Sequence, residues 1–218
     1  MNSLGMLMFT TKEEIWNGIT HGIGAGLSIA GLTLLVVLAA IYGDSWRVIS
    51  FAIYGSSLVL LYLASTLYHS IQIPRAKRVL QIMDHAAIYL LIAGSYTPFV
   101  LVNMRNRLGL IILGTVWGLA VAGIALRTIF AGRFEKAAVV GYIIMGWLVI
   151  IVFKELQAVM PAGGVALIVA GGVTYTAGVL FYAWRKLPYN HAIWHLFVMG
   201  GSLCHFFAML FYVLPMPV

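Results

Sequence analysis

The stretch HAIWHLFVMGGSLCHF, residues 191–206, holds three of the chain's six histidines and no Asp, Glu, Lys or Arg. The apolar run continues to residue 214. It is therefore long enough to cross a bilayer, which takes about 20 mostly apolar residues over a ~30 Å hydrocarbon core. Imidazoles are costly at such depth and mark a functional site when they occur there. The stretch thus sets the fold class and says where to look for chemistry.

The rest of the chain agrees with it. Of 218 residues, 62% are hydrophobic and 9% charged, whereas soluble domains average about a quarter charged. Six more runs match the length of 191–214: roughly 19–42, 48–70, 82–103, 109–126, 137–153 and 163–184. Connections are short, three of them punctuated by Pro74, Pro161 and Pro188. No polar stretch approaches the ~50 residues of a separate soluble domain. We expect an all-α integral membrane protein, a single seven-helix bundle over 1–218. The N-terminal MNSLGMLMFTTKEEIWNG does not read as a signal peptide, since Glu13 and Glu14 stand where a small-residue cleavage site would be. The lone Cys204 cannot form an intramolecular disulfide.

The net charge of +7 does not point to nucleic acid, because the basic residues are scattered in ones and twos between apolar runs. Nine fall on the N-terminal side of the bundle: Lys12, Arg75, Lys77, Arg78, Arg127, Arg133, Lys136, Arg185 and Lys186. Four fall on the other: Arg47, Arg105, Arg107 and Lys154. The positive-inside rule then predicts a cytoplasmic N-terminus and an extracytoplasmic C-terminus.

With that orientation, His21, His69, His85, His191, His195 and Asp84 share one level near the cytoplasmic ends of four helices. His205 alone lies deeper, roughly 15 Å beyond His195 at the helical rise. Asp84 reads as the only carboxylate within a span, Glu14 as flanking one. His191 and His195, at i and i+4, lie on one helical face, as two ligands of one ion require. A third imidazole would complete a three-histidine set with an open fourth position for water, the composition of a catalytic zinc site. His69 is the candidate third ligand, Ser65 sits one turn from it, and Asp84 is placed to hold or deprotonate the water. Zinc suits imidazole, as do copper, nickel and iron.

Plainer readings stand beside this one. The histidine pair could be hydrogen-bonded between helices. His21, His85 and His205 read as structural or supporting. Gly18, Gly22 and Gly26 have the small-xxx-small spacing of close helix packing, Pro98 is expected to kink the third helix, and Trp16, Trp46 and Trp184 read as interfacial anchors. The spacing of His191 and His205 could serve stacked haems, but the second helix offers only His69 as a partner.

Four segments together carry a resemblance: EEIWNGITHGIGA (13–25), ASTLYHSI (64–71), DHAAIYLLIAGSYTPF (84–99) and NHAIWHLFVMGGSLCHF (190–206). They resemble the hemolysin III family of bacterial membrane proteins, which is similar to the progestin and adiponectin receptors and falls in a wider group with alkaline ceramidases. The resemblance implies seven helices with a cytoplasmic N-terminus in a bacterial plasma membrane. It implies zinc on His69, His191 and His195, with Asp84 and Ser65 in water-binding or auxiliary positions. It associates the receptor relatives with zinc-dependent lipid amide hydrolysis and the bacterial branch with haemolysis and membrane-lipid homeostasis.

The function expected is an intramembrane zinc hydrolase of a lipid amide or ester, ceramidase-like, with Asp84 as general base, Ser65 assisting and membrane lipids as substrate. Two alternatives remain at this stage. One is a non-enzymatic membrane sensor stabilised by zinc; the other is a pore-forming cytolysin.

Overall fold

In the computed structural model, residues 9–130 and 134–214 are described. Every element among them is helical. Seven helices are long and apolar enough to cross a membrane: α1 (Thr11–Tyr42), α2 (Ser45–Ser70), α3 (Pro74–Asn103), α4 (Arg107–Ile129), α5 (Glu135–Val159), α6 (Ala162–Ala183) and α7 (Asn190–Val213). A helix can cross lipid because it satisfies its backbone polar groups within one segment.

Two helices begin earlier than their apolar runs. The first run starts near residue 19, but α1 starts at Thr11 because Thr10 and Glu13 form a reciprocal capping box. The third starts near 82, but α3 starts at Pro74, whose missing N–H costs nothing in a first turn. At 32 residues, α1 is roughly 48 Å long, so its first turns rise beyond the ~30 Å hydrocarbon core. The fifth run, the shortest expected at 137–153, becomes a helix of 25 residues.

Neighbours in sequence pack together from α1 through α4, α6 packs on α7, and α7 closes back onto α1. The close α1–α2 approach uses the glycine series in part: a Cβ on Gly18 would lie 3.3 Å from Ser70 Oγ and one on Gly22 3.8 Å from Thr66 Cγ2. A Cβ on Gly26 would meet nothing within 4 Å, whereas one on Gly24 would lie 2.7 Å from the Tyr62 ring. Gly55 of α2 sits against the Leu32 backbone, where a Cβ would lie 3.0 Å from its Cα. Outward faces carry exposed Ile23, Leu27, Val121 and Leu180, the surface lipid requires.

Two helices change winding in mid-course. After Pro98, α3 continues as a π-helical turn over Phe99–Asn103, a familiar way of absorbing the proline's missing donor. In α5, Leu148–Val152 is 3₁₀-helical, and the Tyr96 hydroxyl fills the break. It lies 3.0 and 2.9 Å from the carbonyls of Met145 and Gly146 and accepts from Val149 N at 2.9 Å.

The nine basic residues of the N-terminal side do not all lie in loops. Lys77 and Arg127 are buried, at 7% and 5% exposure, and Arg133 lies outside the described residues.

Candidate metal centre

The tertiary fold brings together three of the histidines singled out above. One ring nitrogen each from His69 of α2 and from His191 and His195 of α7 lie within 4.8 Å of one another, and all three side chains are buried. Helix α7 is entered through Tyr189, which takes the left-handed region at φ 56. Its backbone N–H donates to the Glu13 carboxylate at 3.3 Å. That contact ties the start of α7 to the start of α1.

The other face of each ring explains which nitrogen is available. His69 Nδ1 lies 2.6 Å from Glu14 Oε2, and a carboxylate only accepts, so Nδ1 carries the proton. His195 Nδ1 lies 3.2 Å from the Asn17 carbonyl and 3.0 Å from Thr20 Oγ1. The Thr20 hydroxyl itself donates to the carbonyls of Trp16 and Asn17, so it accepts from His195. With Nδ1 as the donor, a neutral ring keeps its lone pair on Nε2, the nitrogen left to ligate. Metal-ligating histidines almost always donate their other N–H to a carboxylate or carbonyl in this way. The Nε2 atoms of His69 and His191 are buried with no hydrogen-bond partner among the described residues. Buried polar atoms seldom go unpaired, and a cation is what this donor set fits. Three neutral imidazoles are the ligand set of an open catalytic zinc site.

Glu14 is held in turn. It is 8% exposed and pairs with Lys77 of α3 at 2.8 Å, while Lys77 Nζ also donates to the Tyr68 carbonyl at 2.9 Å. Glu14, read from the sequence as flanking a span, and Lys77, counted there among the basic residues of the N-terminal side, are both buried in the support of His69. The sequence held a signal for it. Glu14, Asn17 and His21 recur at three and four residues, the spacing of one helical face, and all three are buried.

The remaining candidates fall as follows. Asp84 is 7% exposed and borders, with His191 and His195, a cavity of about 530 Å³ lined mainly by α3, α5, α6 and α7. Ser65 is fully buried, one turn before His69, with its Oγ unpaired; it is not among the cavity's lining residues. The Nδ1 of His85 lies 2.7 Å from the Gln81 carbonyl of its own helix. His205 lies apart from the metal group, with Nε2 3.3 Å from the Ile168 carbonyl, and borders the cavity's far part. His21 stacks on His195.

The cavity is apolar for most of its course, lined by Leu91, Ile92, Phe99, Val100, Val152 and Ile168 among others. Its α3 wall runs from Asp84 to Met104, about 30 Å along a helix. A second pocket of about 510 Å³ is bordered by Phe9, Glu14, Gly18, His69 and Ser70.

Comparison with known proteins places the chain in context. The family described as "Haemolysin-III related" matches residues 9–206. The chain is 52% identical to "Hemolysin-3" of Bacillus cereus over 204 residues, covering 94% of this chain and 93% of that protein. It is 50% identical over 210 residues to "Hemolysin-3 homolog" of Bacillus subtilis, covering 96% and 99%. More distantly, it is 27% identical over 214 residues to the human "Monocyte to macrophage differentiation factor", covering 95% and 87%.

Proposed function

The chain belongs to the haemolysin-III related family, and from that premise we propose that it is an intramembrane, zinc-dependent hydrolase of a lipid amide or ester. One observation carries the proposal: three buried imidazoles cluster, and two of them, His191 and His195, border with Asp84 an apolar cavity that runs along the bundle. A polar reactive end and a long apolar remainder match the two parts of a lipid.

His69, His191 and His195 would hold the ion. Zinc bound there supplies Lewis acidity, polarising a carbonyl and lowering the pKa of water toward ~7. The chain's own residues do the rest. The cavity wall takes the acyl chain and excludes bulk water from its apolar length. Asp84 accepts the proton of the attacking water and returns it to the leaving amine or alcohol, the two halves of general acid–base catalysis. Glu14, Asn17 and Thr20 keep the two rings they contact in the tautomer and orientation that face the site. Ser65 contributes from behind, one turn from His69. The substrate is drawn from the surrounding membrane, a bacterial plasma membrane with the N-terminus on the cytoplasmic side, which links the protein to membrane-lipid homeostasis.

Haemolysis, which the relatives' names record, is not the activity this arrangement supports best. The helices present apolar faces outward, and the cavity lining is apolar rather than the polar wall of a water-filled pore.

The test is hydrolysis in proteoliposomes. Full-length protein should release fatty acid from a defined ceramide or ester lipid, lose that release on chelation and regain it with zinc. Release that persists unchanged after complete metal removal would overturn the proposal.

A further inference from the structure

His21 is a buried imidazole that the scheme above leaves without a task. It is 3% exposed, and neither ring nitrogen has a hydrogen-bond partner among the described residues. Three other rings nearby are anchored: His69 by Glu14, His195 by Asn17 and Thr20, His85 by Gln81. An imidazole carries at least one N–H whatever its charge, so a donor at His21 is unpaired in every form. Buried unpaired donors are rare enough to need a reason.

Geometry narrows the reason. His21 lies face to face with His195, ring centroids 3.4 Å apart and planes 12° from parallel, and meets the Tyr62 ring edge-on at 4.9 Å. Among the described residues, the group whose nitrogens lie within 4.8 Å of one another contains His69, His191 and His195 but not His21. A ligand nitrogen binds in the plane of its ring. His21 sits over the face of His195, and both rings border the same cavity. Asp84 and Leu61 border it too.

We infer that His21 is a substrate-contacting residue whose unpaired N–H takes the carbonyl oxygen of a lipid amide or ester, turning that carbonyl toward the three histidines. The inference rests on the function proposed above and adds the group that recognises the reacting carbonyl. A hydrocarbon of the same length has nothing for His21 to bind, so the residue discriminates a lipid's reactive end from its tail.

The test compares dodecanamide with dodecane, titrated at matched mole fraction into detergent-solubilised, zinc-loaded, full-length protein and read as affinity. His21→Ala should weaken dodecanamide binding by about 10-fold, the scale of one lost hydrogen bond. It should leave dodecane binding and zinc content unchanged, and His21→Gln, which keeps an N–H, should recover part of the loss. Equal weakening for both probes would make His21 a packing residue and overturn the inference. So would loss of zinc in His21→Ala on the scale of His195→Ala, which would make it a ligand. The two proposals fail separately. Amide-selective binding lost in His21→Ala, in a protein without hydrolytic turnover, would sink the hydrolase and keep the carbonyl contact; turnover and amide binding both intact in His21→Ala would do the reverse.

Discussion

His69 Nδ1 lies 2.6 Å from Glu14 Oε2 across the α1–α2 interface, and the same carboxylate pairs with Lys77 of α3 at 2.8 Å. One buried acid therefore orients a candidate ligand and links three helices. Glu14→Ala should lower zinc affinity by about 10- to 100-fold, the usual cost of removing a group that holds a ligating histidine. Competition with a chelator of known affinity measures this. Unchanged affinity would mean that the Glu14 contact does not support the ligand.

Metal content separates the deep histidine from the others. Purified protein should hold about one zinc per chain, and His195→Ala should lose most of it. His205→Ala should keep it, because His205 lies apart from the metal group with its Nε2 against the Ile168 carbonyl. Equal loss in the two variants would show that the metal group is drawn wrongly.

Asp84 separates enzyme from scaffold. Asp84→Asn preserves size but removes the basicity needed to take a proton from water. In a hydrolase it should keep zinc and melting temperature while losing turnover by about 100-fold or more. Were the ion only to tie α2 to α7, Asp84→Asn would keep cellular function, and His191→Ala would lose stability and function together. A folded, zinc-loaded Asp84→Asn protein with full turnover would rule out the general-base role.

Helix packing gives a test independent of metal. Gly55→Ala places a Cβ 2.5 Å from Leu32 Cδ1 and 3.0 Å from the Leu32 backbone, and should destabilise by about 1–3 kcal/mol through overpacking. Gly26→Ala meets nothing within 4 Å and should stay within about 0.5 kcal/mol. Thermal melts of the two variants in one detergent decide it; similar melting temperatures would mean the α1–α2 approach is looser than described.

Orientation is tested by fusion reporters. The basic asymmetry predicts extracytoplasmic activity for a reporter after Val218 and cytoplasmic activity for one at Arg133, both outside the described residues. Burial of Lys77 and Arg127 removes two charges from the richer side, leaving seven against four, so the sign of the asymmetry holds. Opposite reporter signals would invert the assignment of sides and leave the histidine cluster intact.

The sequence alone determined the seven helices and the shared face of His191 and His195. Both are local matters: spanning length follows from an apolar run, and i, i+4 spacing follows from the helical repeat. Helix starts were less legible, because a capping box at Thr10 and a proline at residue 74 extend α1 and α3 into polar sequence. Only the tertiary structure decided how residues from separate helices meet. Glu14 read as a flanking charge until α2 and α3 packed against it and supplied His69 and Lys77 as partners. Gly26 fits a packing motif yet faces open space, while Gly55 carries the contact, because helical rotation and crossing choose which small residue meets a neighbour. The stack of His21 on His195 and the cavity between α3, α5, α6 and α7 likewise exist only once the bundle closes. Side-chain depth can be counted along one chain; its direction toward another helix is set by packing.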